Sequence, residues 1–212
     1  MQIIPAINET EFSEIARKMQ RAAGFGATWA HIDVTDGRFT ANRLWNDPKE
    51  LAGAKPPKGL TIEVHLMVEY PDDIIDEWLD AGVRRIIVHV EAVQDVVMMK
   101  EKCALFGVEL FLAANPDTPA EKLLAHRENA DGFLVLGVIP GRSGQKMHPG
   151  QKEKIAFLRE HIKNATLEVD GGVDAANAVA LHAAGADVLI AASAIWGDPE
   201  PERAFKHLQA LS

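Results

Sequence analysis

Eight short apolar runs punctuate the chain: QIIPAI, WAHIDV, TIEVHLMV, RIIVHV, VELFLAA, GFLVLGVI, LEVDGG and DVLIAASAI. Most are aliphatic or β-branched and only a few residues long, the pattern of buried parallel strands. Between them lie segments such as EFSEIARKMQRAAGFG, PDDIIDEWLDAGV and DAANAVALHAAGA. Their apolar residues recur three and four positions apart, which predicts helices packed on a sheet. Helix starts are signalled by Asn8 to Thr10, by Pro71, Asp72 and Asp73, and by Asp174; helix ends are signalled by Gly24, Gly82 and Gly185. The stretch AKPPKG at 54–59 reads as a helix-to-strand loop rather than a linker. Eight strand–helix alternations in 212 residues predict one α/β domain over 1–212, a closed (β/α)8 TIM barrel. An open doubly wound sheet is the alternative. It normally carries a glycine-rich turn after the first strand, and Pro5, Ala6, Ile7 and Asn8 do not make one.

Ionisable residues interrupt the apolar runs at chosen places. His31 and Asp33 alternate in the second run, and residues two apart on a strand face the same side. His65 lies in the third run and Asp170 closes the seventh. All four fall at or near C-terminal strand ends, the catalytic face of a barrel. Two imidazoles and two carboxylates meeting there would make a divalent-metal site. Taken singly, each has a plainer reading: a strand-end Asp is often a helix cap, and a strand His is often a core residue. His89 and Glu91 in IIVHVEA could line the same site or serve packing and hydrogen bonding.

A phosphate site reads separately. Gly141, Arg142, Ser143 and Gly144 follow the sixth run, Gly171 and Gly172 the seventh, and Ala192 and Ser193 the eighth. Loops after the late strands of barrels hold phosphate through backbone N–H groups, and glycines permit the close approach. Arg142 would add a charge-assisted contact. The plainer alternative is that the glycines make turns and Arg142 is solvated.

Charge and composition narrow the partners. The net charge of −9 disfavours nucleic acid and anionic membrane surfaces, and it obliges any anion site to be local. The four tryptophans, Trp29, Trp45, Trp78 and Trp196, are scattered without an interleaved basic stripe. Trp78 reads as core, and Gln151 to Lys154 as a solvated helix face. The lone Cys103 excludes an internal disulfide, fits a reducing cytoplasm, and reads as buried rather than nucleophilic. The first residues lack a signal-peptide pattern, and no run reaches the ~18 apolar residues of a membrane span. A soluble cytoplasmic protein is expected.

The motifs together resemble a known family. HIDVTDG at 31–37 resembles the ribulose-phosphate 3-epimerase signature His-Phe-Asp-Val-Met-Asp-Gly, and EVHLMV at 63–68 resembles its second signature. PGRSGQK at 140–146, EVDGGV at 168–173 and AGADVLIAASAIW at 184–196 are similar to its later motifs, in order along nearly the whole chain. The resemblance implies a ribulose-phosphate-binding barrel that is a catalytic domain. It implies one divalent metal held by His31, Asp33, His65 and Asp170: zinc first, with iron(II), manganese or cobalt as alternatives. It implies Asp33 and Asp170 as the acid/base pair, moving the C3 proton between D-ribulose 5-phosphate and D-xylulose 5-phosphate through a cation-stabilised enediolate. It implies substrate contacts at Met67, Gly141, Arg142, Ser143, Gly144, Gly171, Gly172, Ala192 and Ser193, and a homo-oligomer. The departures are Ala6 for a substrate-contacting serine, Thr35 and Leu136 for pocket methionines, and Arg142-Ser143 for Phe-Gly. They leave open a 3-epimerase of another ketose phosphate, such as a hexulose 6-phosphate. A non-catalytic sugar-phosphate-binding barrel is the alternative from another class. A decarboxylase or aldolase is disfavoured because Glu63-Val64-His65 lacks the Asp-x-Lys pair of such relatives.

Overall fold

Side-chain parity along the strands governs the architecture, because successive residues of a strand point to opposite faces. The computed structural model describes residues 1–141 and 144–211. The strands are β1 (Gln2–Ile7), β2 (Trp29–Thr35), β3 (Thr61–Met67), β4 (Arg85–His89), β5 (Glu109–Ala114), β6 (Gly132–Leu136), β7 (Thr166–Asp170) and β8 (Val188–Ala191). They pair in sequence order, all parallel, and β8 closes on β1. The buried apolar residues separate into two clusters. Ile7, Ile32, Val34, Val64, Leu66, Val88, Leu112, Val135 and Val169 face the helices. Ile4, Ala6, Ile87, Phe111, Ala113, Leu134, Leu136 and Ile190 fill the barrel interior. The strands are therefore apolar on both faces, as the continuous runs predict.

Helices alternate with the strands: α1 (Phe12–Gly24), α2 (Pro48–Gly53), α3 (Pro71–Asp80), α4 (Val96–Leu105), α5 (Glu121–Leu124), α6 (Gln151–His161), α7 (Ala178–Ala183), α8 (Ser193–Trp196) and α9 (Pro201–Ala210). Helix α1 buries Ile15, Met19 and Ala22, one stripe on the sheet. Helix α3 opens on Pro71 with Asp72 and Asp73 in its first turn, where acidic side chains meet the positive end of the helix dipole. Trp78 is fully buried within α3. Cys103 is buried in α4, and its thiol is pushed up to about 12 by desolvation, which leaves it unreactive. None of the described helices is long and apolar enough to cross a membrane.

Several expectations are corrected. Asn8 does not start α1: its side-chain amide donates to Asp33, and the helix begins at Phe12 without a side-chain cap. Asp174 caps a turn, accepting from Ala176 N at 2.8 Å and Asn177 N at 3.1 Å, and α7 begins only at Ala178. The sixth run leaves the ladder after Leu136, where Gly137 N donates to Asp170 O. The eighth run turns into α8 after Ala191. Of the expected solvated face from Gln151 to Lys154, only Lys152 and Glu153 are exposed. Gln151 is 2% exposed, and Lys154 Nζ donates to the carbonyls of Asn115, Pro116 and Thr118 at 3.1, 2.7 and 2.8 Å, a clamp on the loop after β5.

Gly132 shows how tightly the interior is filled. A Cβ there would collide with the Phe111 ring, which stacks on Arg85. Gly132→Ala is expected to destabilise the protein by about 1–3 kcal/mol through overpacking. A thermal melt checks this, and an unchanged Tm would mean the ring has room to shift.

Candidate active site

Strands β2, β3 and β7 bring four predicted side chains together: Asp170 closes β7, Asp33 and His65 lie two residues before the ends of β2 and β3, and His31 sits deeper, mid-strand in β2. His31, Asp33, His65 and Asp170 each offer a ligand atom, and these atoms lie within 4.8 Å of one another. Asp33 Oδ1 is 3.1 Å from His31 Nε2 and 3.2 Å from His65 Nδ1. Asp170 Oδ2 is 4.0 Å from the same atom of His31 and 3.7 Å from that of His65. All four residues are buried, so their charges are little screened by water. Burial opposes charge on both imidazoles, yet their carboxylate hydrogen bonds outweigh it and raise both pKa values; the partners are Asp33 and Glu63 for His31, and Asp170 and Asp33 for His65. Burial likewise opposes charge on Asp33, but hydrogen bonds from His31 and His65 hold its carboxyl well below the usual range. The pocket thus favours positive charge among two nitrogen and two oxygen donors, which fits a divalent cation.

Each histidine has an outer partner. His31 Nδ1 donates to Glu63 Oε1 at 2.8 Å, which leaves Nε2 facing the centre. Glu63 sits directly beside His31 in the β2–β3 register and beside Arg85 in the β3–β4 register. Arg85 Nη1 donates to Glu63 Oε2 at 2.7 Å and to Glu168 Oε1 at 2.5 Å. Burial and then the Glu63 charge push the Glu168 carboxyl well above the usual carboxylate range, against the pull of Arg85. His65 Nε2 lies 2.8 Å from His89 Nε2, and His89 Nδ1 lies 3.2 Å from Glu91 Oε2. Desolvation lowers His89 to about 4, so its ring is neutral near pH 7. Glu91, partly buried, is held at about 2 because hydrogen bonds from His89, Thr118 and Asn115 overcome its desolvation.

Beside this cluster a narrow cleft is lined by Asn8, Asp33, Met67, Leu136, Asp170, Gly171 and Gly172, and further by Gly141, Gly144, Ala192 and Ser193. Every described residue expected to touch substrate therefore borders one space. Arg142 and Ser143 lie outside the described residues. Gly171 and Gly172 have φ of +92° and +72°, and an added Cβ would fall 2.5 Å from a Val138 methyl or from Met147 N. Thr35 does not line this cleft. Its hydroxyl accepts from Leu44 N at 2.6 Å and donates to Asn42 O at 2.8 Å, pinning the loop after β2. Ala6 is fully buried and offers its carbonyl to Trp196 Nε1 at 2.6 Å.

The sequence assigns no place at the site to Glu63, Arg85 or Glu168, and reads Asn8 only as a helix start. A signal existed for two of them, since Glu63 and Glu168 share interior parity with His65 and Asp170.

Comparison with known proteins agrees with this geometry. The solved structures of 3-hexulose-6-phosphate synthase from Salmonella typhimurium (TM-score 0.72, 17% identity, 100% of this chain and 98% of that one) and of orotidine 5'-phosphate decarboxylase from Pyrococcus horikoshii OT3 (TM-score 0.71, 18% identity, 99% and 98%) share the fold. Ribulose-phosphate 3-epimerase of Chlamydia pneumoniae is 36% identical over 187 residues, covering 85% of this chain and 80% of that protein. Its Rhodobacter capsulatus counterpart is 34% identical over 198 residues, covering 92% and 86%. The ribulose-phosphate 3-epimerase family model matches residues 2–196. With family-wide sequence agreement laid over a barrel whose strand ends gather two histidines and two aspartates, the chain belongs to the ribulose-phosphate 3-epimerase family, isomerases acting on carbohydrates.

Proposed function

We propose that residues 1–212 act as one catalytic domain that interconverts D-ribulose 5-phosphate and D-xylulose 5-phosphate. The observation that carries this reading is the pair Asp33 and Asp170 at one cleft that is also lined by Gly141, Gly144, Gly171 and Gly172. Inverting a carbon beside a ketone needs a base on one face and an acid on the other, and two carboxylates can alternate in those roles. In this reading Asp33 and Asp170 take and return the C3 proton. His31 and His65, with the two aspartates, hold one divalent cation, and zinc suits the mixed nitrogen and oxygen set. When bound, that cation supplies positive charge to the oxygens on which negative charge develops. Met67 and Leu136 form the apolar wall that excludes water. Backbone N–H groups at Gly141, Gly144, Gly171, Gly172, Ala192 and Ser193 receive the phosphate, helped by the permissive φ of the glycines. A cytoplasmic setting and a homo-oligomer accompany this reading, on the reducing-compartment and family grounds given above.

Differences in the walls motivate a second candidate substrate of the same class. Leu136 stands in the cleft where the family carries a methionine, and Thr35 is withdrawn into its loop. A 3-epimerase of a hexulose 6-phosphate is the alternative. A substrate panel in D2O separates the readings: brisk C3 exchange with ribulose 5-phosphate is expected. Brisk exchange with a hexulose 6-phosphate alone would replace the substrate, and exchange with neither would leave a sugar-phosphate binder.

A further inference from the structure

We propose that Glu91 is a positioning residue for the metal centre: acting through His89, it selects the tautomer of His65 whose Nδ1 lone pair faces the cation. This rests on the reading of His31, Asp33, His65 and Asp170 as a metal site.

The argument is a count of donors and acceptors along one buried chain. His65 turns Nδ1 toward Asp33 and Asp170, at 3.2 and 3.7 Å, and Nε2 toward His89 Nε2 at 2.8 Å. Two ring nitrogens at that separation need one N–H and one lone pair. The far side of His89 decides which is which. His89 Nδ1 lies 3.2 Å from Glu91 Oε2, and an ionised carboxylate can only accept. His89 Nδ1 must therefore carry the hydrogen. With that single hydrogen on its ring, His89 has its lone pair at Nε2, so His65 donates from Nε2, and the hydrogen that its Nδ1 shares with Asp33 is the one a cation displaces. Both rings are fully buried and nearly coplanar, 13° apart with centroids at 5.0 Å, and Phe39 packs against His89 at 4.7 Å, so neither can turn away to water.

Glu91 is itself fixed by the opposite edge of its carboxylate. Oε1 accepts from Asn115 N at 2.8 Å and from the Thr118 hydroxyl. Both oxygens must accept, which a carboxylate can do and an amide cannot. In Glu91→Gln the amide oxygen stays with the obligatory backbone donor of Asn115, and the NH2 group turns to His89. His89 must then accept at Nδ1, carry hydrogen at Nε2 and donate to His65 Nε2. That puts a hydrogen on His65 Nδ1, where the cation should be. Glu91→Ala imposes no order, and both rings can follow the metal. The isosteric change should therefore be worse than truncation, the reverse of what packing predicts.

The test measures Zn2+ affinity by competition with a chromophoric chelator for wild type, Glu91→Gln and Glu91→Ala, with thermal melts as folding controls. Imidazole 15N shifts of the zinc-loaded wild type report the His89 tautomer. The expected result is about tenfold or greater loss of affinity in Glu91→Gln, a smaller loss in Glu91→Ala, and an Nδ1–H ring at His89. Equal affinity of Glu91→Gln and wild type, a greater loss in Glu91→Ala, or an Nε2–H ring at His89 would each overturn the proposal. If Glu91→Gln does not fold, the wild-type ring spectrum decides alone. Wild type that binds no zinc would remove the metal-site reading, and this inference with it.

Discussion

Replacing Asp170 by Asn is expected to lower epimerisation by about 10²–10⁴-fold, the range lost when a positioned acid/base group is removed. The amide matches the carboxylate in shape and keeps one oxygen toward His31 and His65, so folding should survive. What disappears is the ability to take or return a proton on one face of the bound sugar. The two faces should then behave differently. From the epimer whose C3 proton Asp33 removes, exchange with D2O should persist, because Asp33 can remove that proton and replace it with deuterium on the same face. From the other epimer, exchange should fall with turnover. Asp33→Asn should show the mirror image, with an added loss because Asp33 also bridges His31, His65 and Asn8. Proton NMR of each ketose phosphate in D2O reads both quantities. Turnover within tenfold of wild type from both epimers, in either mutant, would defeat the two-carboxylate mechanism.

The largest stability effect is expected beneath the site, at Arg85. Its guanidinium binds Glu63 and Glu168, both with fully buried side chains, and reaches Glu109 at 2.8 Å on the half-exposed side. It also lies 4.4 Å from the Trp29 ring centre and 4.1 Å from that of Phe111. Removing one member of a buried charge network leaves its partners uncompensated, at a cost of about 3–5 kcal/mol. Arg85→Leu removes the cation from beside Glu63 while keeping apolar contact with the two rings. The expected result is a fall in Tm of roughly 6–20 °C for a domain this size. A melt of Arg85→Leu within 2 °C of wild type would show the network to be energetically idle.

The sequence by itself determined a good deal about this protein. Apolar runs of strand length, alternating with helical stripes, are enough for the barrel, because a strand without polar faces must be covered on both sides. Alternation with period two is enough to put His31 with Asp33, and Glu63 with His65, on single faces. Only the tertiary structure decided how those faces meet. The stagger between neighbouring strands sets His31 beside Glu63 and Glu63 beside Arg85, and stagger belongs to the closed sheet rather than to any one strand. The same holds for partners distant along the chain. Asn8 reads as a helix start until Asp33 competes for its amide, and Lys154 reads as solvated until three carbonyls of a distant loop converge on it. A buried polar group takes whichever partner the packed interior brings within reach, because leaving it unpaired costs more than any local preference supplies.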